Sequence, residues 1–173
     1  KNDDTAAQRV QLLVIRLGDD DQVQVISDWT DAMDFSAPTI VANGRTPLGK
    51  AMRFALEKIE DQKANYQSHD IPYNRPWIFV ITDGGPTDLD WEDAGTDCRQ
   101  AEDDNKVVIF PIGTAGANFE ALKLFSNRSP IKLDGLKFRE LFVWLSRSAS
   151  SGSKAAQDSQ LQLPAVDWGT VST

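Results

Sequence analysis

WIFVITDGGPTD, residues 77–88, decides how the chain is read. Trp77 to Ile81 are apolar without alternation, the pattern of a strand covered on both faces in a parallel sheet rather than of a half-buried antiparallel one. Asp83 follows Thr82 directly, and Gly84, Gly85 and Pro86 turn the chain sharply. A carboxylate is thereby delivered at the carboxyl end of a buried strand, where open α/β sheets bind their ligands. Downstream, Trp91, Ala94, Cys98 and Ala101 fall on one side of a helix. Val107 to Ile112 (VVIFPI) reads as a second continuous strand, weakened at its far end by Pro111, which lacks a ladder donor.

Working outward, Leu48, Ala51, Met52, Ala55, Leu56 and Ile59 recur at helical spacing, with Thr46 as N-cap and Pro47 at the first helical position. Val10–Leu17 and Val23–Ile26 read as strands joined in a hairpin by the acidic turn Asp19–Asp21. Phe119, Leu122 and Phe125 predict a short helix, Ile131–Leu133 a short strand, and Phe138, Leu141, Phe142 and Leu145 a final helix. This alternation predicts an α/β fold, doubly wound, with a mostly parallel sheet flanked by helices. Residues 1–147 form one domain in this reading, and 148–173, rich in Ser, Ala and Gln, form a flexible linker and C-terminal tail. Leu161, Leu163, Val166 and Trp168 give that tail enough apolar surface to dock, without indicating on what.

The chain has 173 residues, 40% hydrophobic and 25% charged, which suits a single globular domain. A net charge of -8 argues against nucleic acid or an acidic membrane as partner, because such surfaces need clustered Lys and Arg. Cys98 is the only cysteine, so no internal disulfide is available and a reducing, cytoplasmic location is expected. No run approaches the ~18 apolar residues of a membrane span. The first residue is Lys1 rather than Met, so a fragment with its start missing is expected.

Gly44, Gly49 and Lys50 in GRTPLGK match the spacing of a phosphate-binding loop. Yet Pro47 removes an N–H from the middle of the cradle, and Ala51 stands where a magnesium-binding hydroxyl belongs. Asp83 suits a magnesium ligand better than a phosphatase nucleophile, since Gly85 replaces the second acid that such enzymes place two residues on. Asp88, Asp90 and Asp93 lack the glycine spacing of a calcium loop and read as favourable charge at the N-terminus of the following helix. His69 reads as a solvated loop residue without a Ser or Cys partner, and Cys98 as buried and inert.

ITDGGPTD at 81–88, together with NGRTPLGKAM at 43–52, resembles the third and second metal loops of a von Willebrand factor A domain. The TPLG and TDGxPTD wording, LFVWLS near the final helix and the late VDWG resemble its bacterial subgroup associated with tellurite resistance, over about residues 8–150. The resemblance implies a magnesium-dependent adhesion site in which Thr46 supplies a hydroxyl and Asp83 a carboxylate, leaving a position open for an acidic residue of a protein partner. Mn2+ or Ca2+ would serve as substitutes. It also implies a module without catalytic activity, working in bacterial stress or tellurite-resistance signalling beside a PP2C-type phosphatase or a Ser/Thr kinase.

The family's first metal loop, Asp-x-Ser-x-Ser, has no counterpart here. Asp34, Phe35 and Ser36 come nearest, but Pro38 sits where the last hydroxyl belongs. The resemblance implies that the central strand carrying this loop is absent from the sequence, by truncation or, alternatively, by true loss in a degenerate domain, which would leave two neighbouring strands with unpaired backbone and the metal held weakly or not at all. Two other readings stay open: a magnesium-dependent phosphotransferase or NTPase using Gly44, Gly49, Lys50 and Asp83, and a purely structural, metal-free domain.

Overall fold

A computed structural model describes residues 10–18, 20–41, 43–133, 140–141 and 143–144, together with the backbone of 169–171. Strand β1 (Gln11–Gly18) pairs antiparallel with β2 (Gln22–Asp31). Helix α1 (Leu48–Ser68) leads to β3 (Trp77–Thr82), α2 (Trp91–Asp103) and β4 (Val108–Gly113). A short α3 (Phe119–Leu122) runs into a 3-10 turn, Lys123–Phe125, before β5 (Ile131–Leu133) and β6 (Gly169–Val171).

The architecture is mixed α/β. Strands β3, β4 and β5 are parallel neighbours, and β6, within the stretch read as tail, adds to β5 antiparallel. The expected hairpin of β1 and β2 is present, and it forms a sheet of its own. Its turn uses Asp20 and Asp21 at φ 57 and 65, a left-handed region that Asp tolerates better than most residues. Strand β2 also extends past the alternating segment to bring Trp29 against the core beneath α1. Strand β4 passes through Pro111, and its pairing with β5 begins only after the proline, at Ile112. Of the expected final helix, Leu141 and Trp144 are helical and buried, whereas Phe138, Phe142 and Leu145 lie outside the described residues, as does the apolar stretch 161–168.

Period-two alternation along β4 distributes its side chains to two cores. Ile109 joins Leu48, Met52 and Ile59 of α1, Ala94 and Cys98 of α2, and Phe125. Val108, Phe110 and Ile112 join Ile131, Leu133, Leu141 and Trp144 on the other face. Every position of β4 is buried, yet in the equally apolar β3 only Val80 and Thr82 are. Position explains the difference: β4 lies between two strands, whereas β3, among the described residues, pairs with β4 alone.

Polar contacts lock the layers together. The Glu102 carboxylate accepts from the backbone N–H of Ile109 at 2.8 Å and of Asn127 at 2.6 Å, and lies 2.9 Å from the Ser126 hydroxyl. One side chain of α2 thus anchors both β4 and the loop leading to β5. Lys63 is buried with its ammonium 2.7 Å from Glu60 and 2.9 Å from the carbonyl of Lys106. Gln11 of β1 accepts from Gln62 at 2.8 Å and from the Tyr66 hydroxyl, tying the hairpin to α1.

Glu102→Ala leaves these donors without their shared acceptor. It is expected to destabilise the protein by roughly 2–4 kcal/mol in urea unfolding, with Glu102→Gln costing less because it keeps an acceptor oxygen.

Candidate functional site

Three loops converge at the carboxyl ends of β3 and β4. The loop after β4 is held to the loop after β3 by Thr114 N–H donating to Thr82 O at 2.9 Å and Asn118 N–H donating to Gly84 O at 3.3 Å. Small residues make the approach possible: a Cβ on Gly85 would lie 3.2 Å from the Asn118 Cβ, and Gly116, at φ 99, sits against the Asp83 carbonyl.

The segment preceding α1 joins through a reciprocal pair. Thr46 N–H donates to the Thr87 hydroxyl at 3.1 Å, and Thr87 N–H donates to the Thr46 carbonyl at 2.9 Å. The Thr46 hydroxyl is close enough to the β3 loop that a Cβ on Gly84 would meet it at 3.2 Å. The two residues expected to carry the site, Thr46 and Asp83, therefore belong to loops that are bonded to each other. The Thr46 hydroxyl lies beside the residue that follows Asp83, and the Asp83 side chain is exposed.

Thr46 does not cap α1. The N-cap position falls on Pro47, which makes no side-chain capping bond, and the Thr46 carbonyl accepts from Leu48 N–H at 2.8 Å. Capping is done from a distance by Asp88, whose Oδ2 accepts from Lys50 N–H at 2.7 Å. Sequence pattern had placed Asp88 with the charge at the start of α2. In the structure Glu92 and Asp93 hold that first turn, and Asp88 serves α1 instead. A cap contributed 38 positions downstream in the chain has no local signature, so spacing could not have revealed it.

This arrangement bears on the phosphate-loop pattern. A helix N-terminus attracts anions through its unsatisfied N–H groups, and here a carboxylate of the protein already occupies Lys50 N–H. The Lys50 ammonium is itself 3.2 Å from the carbonyl of Asp21, and Arg45 pairs with the Asp21 carboxylate at 3.3 Å.

Around the loops, Arg53 of α1 bridges to Asp97 at 2.8 Å and to Asp90. The hydrogen bond that Arg53 donates to Asp97, reinforced by the one to Asp90, holds its guanidinium above the ordinary range. Among the described residues, no group of three or more His, Cys, Asp or Glu side chains is placed to hold a metal ion. His69 is exposed at the end of α1, and its Nδ1 does lie 3.0 Å from the Ser68 hydroxyl. Both groups are turned to the carbonyl of Asn65, a local helix-end contact. Cys98 is completely buried, and burial pushes its thiol up to about 12, with the charges of Asp97 and Glu102 adding to the effect.

No family model, curated protein or solved structure matches the chain. No helix among the described residues is long and apolar enough to cross a membrane.

The raised thiol sets an alkaline limit on stability. Between the ordinary thiol value, about 8.5, and the native value of about 12, the unfolded chain releases a proton that the native state retains. Stability therefore falls as pH rises through that window and is fully present below it. Urea unfolding from pH 8 to 11 should show a steeper loss for the wild type than for Cys98→Ala.

Proposed function

We propose that the chain is a doubly wound domain of the von Willebrand A type that binds a partner protein through a divalent cation held by Thr46 and Asp83. The observation that supports this most directly is the joining of the two loops at the carboxyl end of β3, with the Thr46 hydroxyl set beside Gly84. A hydroxyl and a carboxylate suit Mg2+, which takes oxygen ligands, retains several waters and is usually held by one or two carboxylates. With this donor set the ion is held weakly. When bound, it supplies an electrophilic position for a partner's carboxylate, while the protein's own residues only hold and orient.

Thr46 contributes a neutral oxygen and, through its backbone, fixes the distance between loops; Asp83 contributes the charge and is reachable from solvent. Leu89, fully exposed just after Asp88, offers an apolar contact beside the same loop. The setting proposed is bacterial stress or tellurite-resistance signalling in the cytoplasm, with a PP2C-type phosphatase or Ser/Thr kinase as partner. The competing phosphotransferase or NTPase reading is disfavoured by the Asp88 carboxylate at the N-terminus of α1, where a phosphate would have to sit.

Only a ligand of the native state raises its melting temperature. Millimolar MgCl2, compared with NaCl at matched ionic strength, is expected to raise Tm for the wild type. The effect should vanish in Asp83→Ala and be reduced in Thr46→Ala, and MgATP should add nothing beyond magnesium alone. A wild-type protein indifferent to Mg2+, or an Asp83→Ala variant that responds equally, would rule the reading out.

A further inference from the structure

We infer that Asp88 is the positioning residue that locks the Thr46 segment onto the β3 loop. This deepens the proposed metal reading, on which only its magnesium consequence rests. Asp88 directly follows Thr87, the residue that exchanges two hydrogen bonds with Thr46. Its own Oδ2 takes Lys50 N–H at 2.7 Å, four residues beyond Thr46 on the other side of the junction. Thr87 and Asp88 thus grip both sides of Pro47, which itself offers no N–H and no side-chain cap. Without Asp88, the first turn of α1 would have nothing holding Lys50 N–H, since the segment's own candidate cap, Thr46, does not reach it.

Packing shows how closely the clamp is seated. A Cβ on Gly49 would come within 2.7 Å of Asp88 Oδ2 and within 2.7 Å of the Trp91 Cα, and 3.1 Å from the Ala94 Cβ. Leu48 of α1 and Ala94 of α2 are buried in one core, which packs the two helices against each other at this point. The second oxygen, Oδ1, is buried with no hydrogen-bond partner among the described residues. The charge gains from the positive end of α1.

The test reads amide hydrogen exchange in the metal-free protein, so that it does not depend on cation binding. Asp88→Ala is expected to speed exchange at Lys50, Thr46 and Thr87 about tenfold, the equivalent of one lost cap. Asp88→Asn keeps a carbonyl oxygen for Lys50 N–H and should stay close to the wild type. Thr87→Val should release the Thr46 amide but leave Lys50 protected. Unchanged exchange at Thr46 and Thr87 in Asp88→Ala overturns the inference. So does loss of protection spread evenly over β4, which would mean general destabilisation and no specific clamp. A MgCl2 titration on the same variants separates the two claims. If the wild type shows no magnesium effect while Asp88→Ala still frees the amides, the clamp stands and the metal reading falls. If magnesium binds the wild type and Asp88→Ala equally while the amides are freed, the clamp stands but does not set the geometry of a cation site.

Discussion

Parallel pairing of β3 with β4 over six residue pairs is the constraint from which the rest of the molecule follows. It aligns the carboxyl ends of two strands, so the loops leaving them must emerge side by side and must satisfy each other's backbone groups or leave them to water. The contacts from Thr114 to Thr82 and from Asn118 to Gly84 are that satisfaction. Thr46 enters the same cluster from the far side of α1, drawn in by Thr87 rather than by anything in its own neighbourhood. Glycines 84, 85 and 116 are spaced so that no Cβ holds these segments apart.

The same pairing explains the uneven burial of the sheet. An apolar strand with a neighbour on each side is hidden at every position, as β4 is; β3, bonded on one side among the described residues, leaves much of its apolar surface half-covered. The continuous apolar run of β3 is the pattern of a strand covered on both faces in a parallel sheet, which is how it was read. The hairpin and the parallel sheet share no backbone pairing among the described residues. The hairpin is instead tied in by side chains, through Gln11 to Gln62 and Tyr66 and through Trp29 to the core under α1.

Much of the fold was legible because it rests on local pattern. The hairpin, the helix beginning near Leu48, the two apolar strands and the buried positions Ala94, Cys98 and Leu141 follow from periodicity and turn chemistry. Of the candidate site, Asp83 was legible because a carboxylate after a buried strand has only one place to go. Thr46 was legible only in part: its place beside the β3 loop came from resemblance, and its supposed role as a cap was mistaken. Asp88 was misassigned because the charge of an acidic residue before a helix favours that helix by default, and no sequence rule tells which of two helix ends a flexible carboxylate will reach.

By itself the sequence determined the class of elements, their order and the position of one acidic group at a strand end, since hydrophobic period and glycine turns act over a few residues. Tertiary structure alone decided that the hairpin forms its own sheet, that Asp88 caps α1, and that the Thr46 and β3 loops are bonded together. Those outcomes depend on which distant backbone groups come within about 3 Å of each other, and that distance is set by how α1 and α2 share one core, not by the residues adjacent in the chain.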